Sequence, residues 1–309
     1  MRYSTIFAAV LASAPLFTSA RPVRARDAAT NALVFQFANV LNQLESEFYK
    51  QGIAKFQDSD FTAAGFTSSA MVSQALTTIK ADEDTHIAAI QAALTAWGNQ
   101  PLKCNFKFDS ALTDVPTMAA TARTLEFVGV SAFLGAANLL PKDLLDAAGM
   151  ILTVEARHST LLNIFSGKGS AIPSAFDIGL TPQEILGVAS GFIDGACDLG
   201  LTATKPLTIT NKAVNPGDLL TVQGDGISGT DGLFCNMIQG GNATSVNLPL
   251  ASCNVPQGTN GPIAVWITKD NKPLSNDVTT RATDAQVAGP AIIFVDSQPE
   301  QLGQMVRKA

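Results

Sequence analysis

The sequence predicts a multidomain chain: an all-α four-helix bundle with a fifth helix, followed by a small all-β sandwich. Three observations carry this reading. Residues 28 to about 199 repeat apolar side chains at helical spacing. From about residue 205 the composition shifts to Thr, Val, Gly, Asn and Pro in short extended runs, with the boundary near LTATKPLT. A connection of roughly twenty residues, GNQPLKCNFKFDSALTDVPT, separates the second and third helices, longer than adjacent elements need.

In the first helix Leu33, Phe37, Leu41, Leu44 and Phe48 outline one face, and in the second Val72, Leu76, Ile79, Ile90 and Trp97 do so. The third is expected from about Met118 to Leu140 and the fourth from Lys142 to Phe165, after Pro141, which suits a helix start. A fifth begins at Thr181-Pro182-Gln183-Glu184, where threonine caps and proline takes the first turn. Tight joints make neighbours antiparallel, whereas one long crossover after the second helix is the ferritin-like arrangement of such a bundle. Beyond residue 205, PLTIT, DLLTVQG, LFCNMI, SVNLPL, IAVWITK and AIIFVD read as strands separated by turns such as NPGD and KDNKP. They suit an immunoglobulin-like sandwich over residues 205–309.

The 309 residues suffice for two domains, and 46% hydrophobic against 15% charged residues describes a chain with a sizeable core. A formal charge of -6, with no basic patch interleaved with aromatics, argues against nucleic acid as a partner. MRYSTIFAAVLASAPLFTSA, residues 1–20, reads as a signal peptide, with Arg2, an apolar run and small residues before the cut; residues 21–27 read as a propeptide or linker. Without residues 1–26, 16 basic against 26 acidic residues leave about -10. No later stretch reads as a membrane span, so the expectation is a secreted protein, extracellular or in the cell wall. Cys104, Cys197, Cys235 and Cys253 suit disulfides there; two per half points to Cys104 with Cys197 and Cys235 with Cys253, among three connectivities. Asn242-Ala243-Thr244 is a glycosylation sequon.

The chemistry lies in the two histidines. Glu83 precedes His86 by three residues and Glu155 precedes His158 by three, so each pair shares a helix face, and both fall in the apolar register. With seven glutamates in the chain, chance places one before both histidines in roughly one such sequence in two thousand. Glu45 and Glu126 occupy the corresponding stripes of the first and third helices. Four unpartnered buried carboxylates would each forfeit several kcal/mol of solvation, which a cation would offset. One Glu, then ExxH, then one Glu, then ExxH is the ligand pattern of dinuclear iron or manganese bundles. It assigns Glu45, Glu83 and His86 mainly to one divalent ion, and Glu126, Glu155 and His158 mainly to the other. Tyr49, one turn beyond Glu45, is a packing residue whose hydroxyl would bond a ligand or donate an electron. Glu47, Asp82, Asp84 and Arg157 are solvated charges by default, with contacts to the ligands as the alternative. A Ser-His-Asp hydrolase is disfavoured because both histidines sit in the metal pattern.

At these residues the chain resembles the ferritin-like proteins secreted by fungi, a family related to desiccation-related proteins and including a stress-responsive member. LNQLESEFYKQGI resembles the family's helix-one motif, with Asn42 where a glutamate is common. LEFVGVSAFLGAA is similar to its helix-three motif, Glu155-Ala156-Arg157-His158 to its helix-four signature, and Glu83 with His86 to its helix-two pair. The resemblance covers residues 28–200 and implies a metal site in which the ExxH glutamates bridge. The function expected is an oxidase, peroxidase or catalase-like reaction with dioxygen or peroxide in stress response. The rival readings are a non-enzymatic stress-protective protein that contacts a cell-wall component through the β domain, and metal sequestration.

Overall fold

The computed structural model describes residues 25–307, so the expected signal peptide lies outside the described residues. Four long helices, α1 (Ala25–Lys55), α3 (Ser69–Ala96), α4 (Val115–Ala136) and α5 (Lys142–Ser166), form the bundle, with a short α2 (Asp58–Ala63) turning the chain between the first two. Local chemistry sets their ends. Ser68 Oγ accepts from the Met71 N–H, and Asp114 Oδ1 accepts from the Thr117 N–H at 2.7 Å. Gly167, at φ 70°, closes α5 in the left-handed conformation that side chains resist. The expected third helix stops at Ala136, and a 3-10 turn covers Ala137–Leu139.

The long connection travels beside α1. Asn39 and Gln43 donate side-chain hydrogen bonds to the Leu102 carbonyl, and the Phe108 ring packs on Phe48 farther along. It thus returns the chain to the end where α3 began, so α4 runs parallel to α3. A small ribbon of β1 (Asn105–Phe106) and β2 (Ile193–Asp194), with the Cys104–Cys197 disulfide, ties the crossover to the segment after α6 (Pro182–Ala189). One side chain placed on an apolar face by spacing lies elsewhere: Leu33 is 37% exposed. A face wider than a single stripe tolerates that rotation.

The β region contains β3 (Leu207–Ile209) paired with β4 (Val222–Gly224), and an antiparallel sheet of β5 (Phe234–Gln239), β6 (Val246–Pro249), β7 (Gly261–Thr268) and β8 (Gln286–Val295) in the order β6-β5-β7-β8. Each expected run contains a strand, although DLLTVQG contributes only its last three residues. Cys235 and Cys253 form the second disulfide. Asn242 is exposed in the turn after β5.

All eight residues of β7 are buried, which requires cover on both faces of the sheet. Because alternate side chains point oppositely, Ile263, Val265 and Ile267 pack with Leu207 and Leu220 on one side. Ala264 and Trp266 join Leu180, Ile185 and Leu186 in the core shared with the helices on the other. Polar anchors cross this junction. Arg123 of α4 grips Asp296 with two hydrogen bonds of 2.9 and 2.8 Å and stacks 3.9 Å over Phe294. Glu184 of α6 meets Arg281 at 2.7 Å with both side chains fully buried. The last helix, α7 (Gln301–Val306), ends at Arg307, which donates to the carbonyls of Phe165 and Ala64.

Candidate metal centre

Each long helix brings one metal-facing layer to the middle of the bundle. On α3 the buried series Val72, Leu76, Ile79, Glu83, His86, Ile90 keeps the helical period through the polar pair, so packing of the apolar members forces Glu83 and His86 inward. On α5 the series Ile151, Glu155, His158, Leu162 does the same, while α1 supplies Glu45 and α4 supplies Glu126. All six side chains are buried.

They converge. Glu83, Glu126, Glu155 and His158 each present a ligand atom, all within 4.8 Å of one another. His158 Nδ1 lies 3.2 Å from both Glu83 Oε1 and Glu126 Oε2, and His86 Nδ1 lies 3.4 Å from Glu83 Oε2 and 3.5 Å from Glu155 Oε1. Glu83 therefore reaches both imidazoles. Glu45 completes the ring opposite Gly129: a Cβ on that glycine would sit 3.0 Å from Glu45 Oε1 and 2.7 Å from Glu155 Oε2. The missing side chain leaves the two carboxylates facing a common space.

Around this ring, Tyr49 is buried and its hydroxyl donates to Glu126 Oε1 at 2.5 Å, leaving Oε2 toward His158. Asp82, a solvated charge by default, instead places Oδ2 3.1 Å from His158 Nε2. The sequence signal was its position beside Glu83, one residue around the helix and toward α5. The other flanking charges are peripheral. Glu47 bonds Lys50 and Gln51, Asp84 bonds Lys80 and Ser46, and Arg157 is exposed. Asn42 donates within its own helix to the Ala38 carbonyl.

The residues present fit a cation. Glu45 Oε2, Glu83 Oε1 and both oxygens of Glu155 are buried without a hydrogen bond, an unfavourable state for acceptors unless a positive charge faces them. Oxygen donors with two imidazole nitrogens suit iron or manganese. The family model described as a ferritin-like domain matches residues 30–168. A ferritin-like domain is present. No curated protein matches the chain. The ferritin-like domain thus contains a buried acidic and histidine cluster capable of coordinating metal ions.

Without metal, the cluster holds protons in its place. Burial, reinforced by the Glu83 charge, pushes the Glu155 carboxyl up to about 8, and burial with the charge of Glu155 raises Glu45 well above the usual range. Burial disfavours the charged imidazoles, yet the carboxylates beside them, Glu155 and Glu83 for His86 and Glu126 and Glu83 for His158, carry His86 up to about 9 and His158 up to about 11. Glu83 moves the other way: burial opposes it, but the two imidazoliums hold it low.

Glu155 and both histidines bind protons more tightly folded than unfolded, so their stabilisation is lost as pH rises, from 4.5 to about 8 for Glu155 and from 6.5 to about 9 and about 11 for the histidines. The expected result is a melting temperature of chelator-treated protein that falls between roughly pH 5 and 9, with metal-loaded protein losing less or gaining, because the ions displace those protons. Thermal denaturation with and without chelator checks it. Asp82→Ala should weaken metal binding about 10–100-fold by freeing the His158 ring, read by competition with a chromophoric chelator.

Proposed function

We propose that the ferritin-like domain binds two divalent ions, iron or manganese, and reacts with dioxygen or peroxide as an oxidase, peroxidase or catalase-like enzyme. The supporting observation is that four glutamates and two histidines from four helices meet around carboxylate oxygens that lack hydrogen bonds. Glu45, Glu83 and His86 would hold mainly one ion and Glu126, Glu155 and His158 mainly the other. Glu83, within reach of both imidazoles, would be able to serve either ion. Bound there, the ions supply redox equivalents and polarise the oxygen species. The chain's own residues keep water out, orient the imidazoles, and direct the Tyr49 hydroxyl to donate a hydrogen bond to Glu126 Oε1.

The protein is read as exported, in a stress-response setting of the kind its resemblance to secreted ferritin-like proteins implies, with two disulfides and an exposed Asn242 sequon supporting that compartment. Among the described residues no helix is long and apolar enough to cross a membrane. The β region is read as an immunoglobulin-like sandwich in which the β3–β4 ribbon covers the outer face of the four-stranded sheet. Elemental analysis of protein isolated from its own secretome, followed by Fe(II) oxidation and peroxide assays, tests the proposal. Two equivalents of iron or manganese with turnover support it; metal-free protein that takes up neither ion overturns it.

A further inference from the structure

One helical turn from the carboxylates, toward the end of the bundle where α1 begins, the helices line a partly open apolar cavity with about 30 Å³ of room. Three long helices contribute a wall residue one turn from their own member of the metal-facing layer, Leu41 before Glu45, Ile90 after His86 and Ile151 before Glu155, and α4 contributes Ala132, one turn beyond the Gly129 that faces Glu45 and Glu155. A turn rises about 5.4 Å, so the cavity is stacked on the ligand layer along the bundle axis. Ala132 leaves room where a longer side chain would reach the centre, while Leu140 and Ala148, both half-buried, border the outer side.

The lining side chains are all hydrocarbon. The volume admits one small molecule. Water in such a site lacks the two to four polar partners that hold it, and apolar cavities of this kind take up xenon instead. Hydrogen peroxide would have to leave its hydroxyl groups unpaired there, which disfavours its transfer from water. Dioxygen carries no such requirement.

We propose that this cavity is a dioxygen site serving the carboxylate cluster, so that dioxygen rather than peroxide is the oxidant the domain takes up; the inference rests on the dinuclear reading above. Xenon is the probe. The metal-loaded full chain should show one xenon site at this position, by xenon NMR or in xenon-pressurised crystals. Ala132→Leu should remove that site, retain the bound metal, and raise the KM for dioxygen several-fold. Ala148→Leu, at the more accessible border, makes the same test if the first variant does not fold. A wild-type protein with metal but without the xenon site overturns the dioxygen site alone. A filled cavity with an unchanged KM for dioxygen overturns it as well. Xenon binding in a chain that holds no metal sinks the dinuclear reading, and the assignment with it.

Discussion

Glu83→Ala is expected to lose both metal ions, because this carboxylate is the one that reaches both imidazoles, 3.4 Å from His86 and 3.2 Å from His158. Changes in residues that merely orient metal ligands cost about 10–100-fold in affinity, so removing a shared ligand should exceed that range. Glu155→Gln makes a companion variant with a divided outcome. It too should lose metal, but its metal-free form should be more stable than the parent at pH 9, by on the order of 1 kcal/mol, since the amide removes a buried charge and offers donors to neighbouring carboxylates. Metal content by elemental analysis and melting temperature in chelator are the two readouts. Full metal occupancy in both variants would show that the cluster is not the binding site.

The second large effect lies away from the cluster. Glu184→Ala should destabilise the protein by about 3–5 kcal/mol, because it strands the buried Arg281 guanidinium. Glu184 accepts from the Thr181 N–H in a capping box, from Trp266 Nε1 at 3.0 Å and from Arg281 Nη1 at 2.7 Å. One side chain therefore closes the start of α6 and ties it to β7 and to the loop before β8. Replacing Glu184 and Arg281 together with apolar residues of similar volume should cost less than either single change. Chemical denaturation of the three variants measures this, and a single-variant loss below about 1 kcal/mol would contradict the role assigned to the pair.

The sequence was most informative where a periodic pattern and an expensive residue type coincide. Glu83, His86, Glu155 and His158 stand in apolar stripes, and a helix that buries its stripe carries them inward whatever its neighbours are. Helix starts at Lys142 and Pro182 and the strands of the β region were legible for the same local reasons, proline and capping chemistry and short extended runs. Asp82 was legible only as a charge flanking the ligands, and its pairing with His158 was not, because the contact joins residues 76 positions apart on different helices. Neither was the second role of Glu184, which reads locally as a cap and nothing more.

By itself, then, the sequence determined that Glu83, His86, Glu155 and His158 stand in buried helix stripes and which chemical set they form with Glu45 and Glu126, since helical periodicity depends only on local geometry. Tertiary structure alone decided which oxygens and nitrogens face one another, that Gly129 leaves space beside Glu45 and Glu155, and that one face of the β-sheet shares the core of the helices. Those outcomes depend on how the elements pack together, and packing is settled by the whole set of contacts rather than by any one segment.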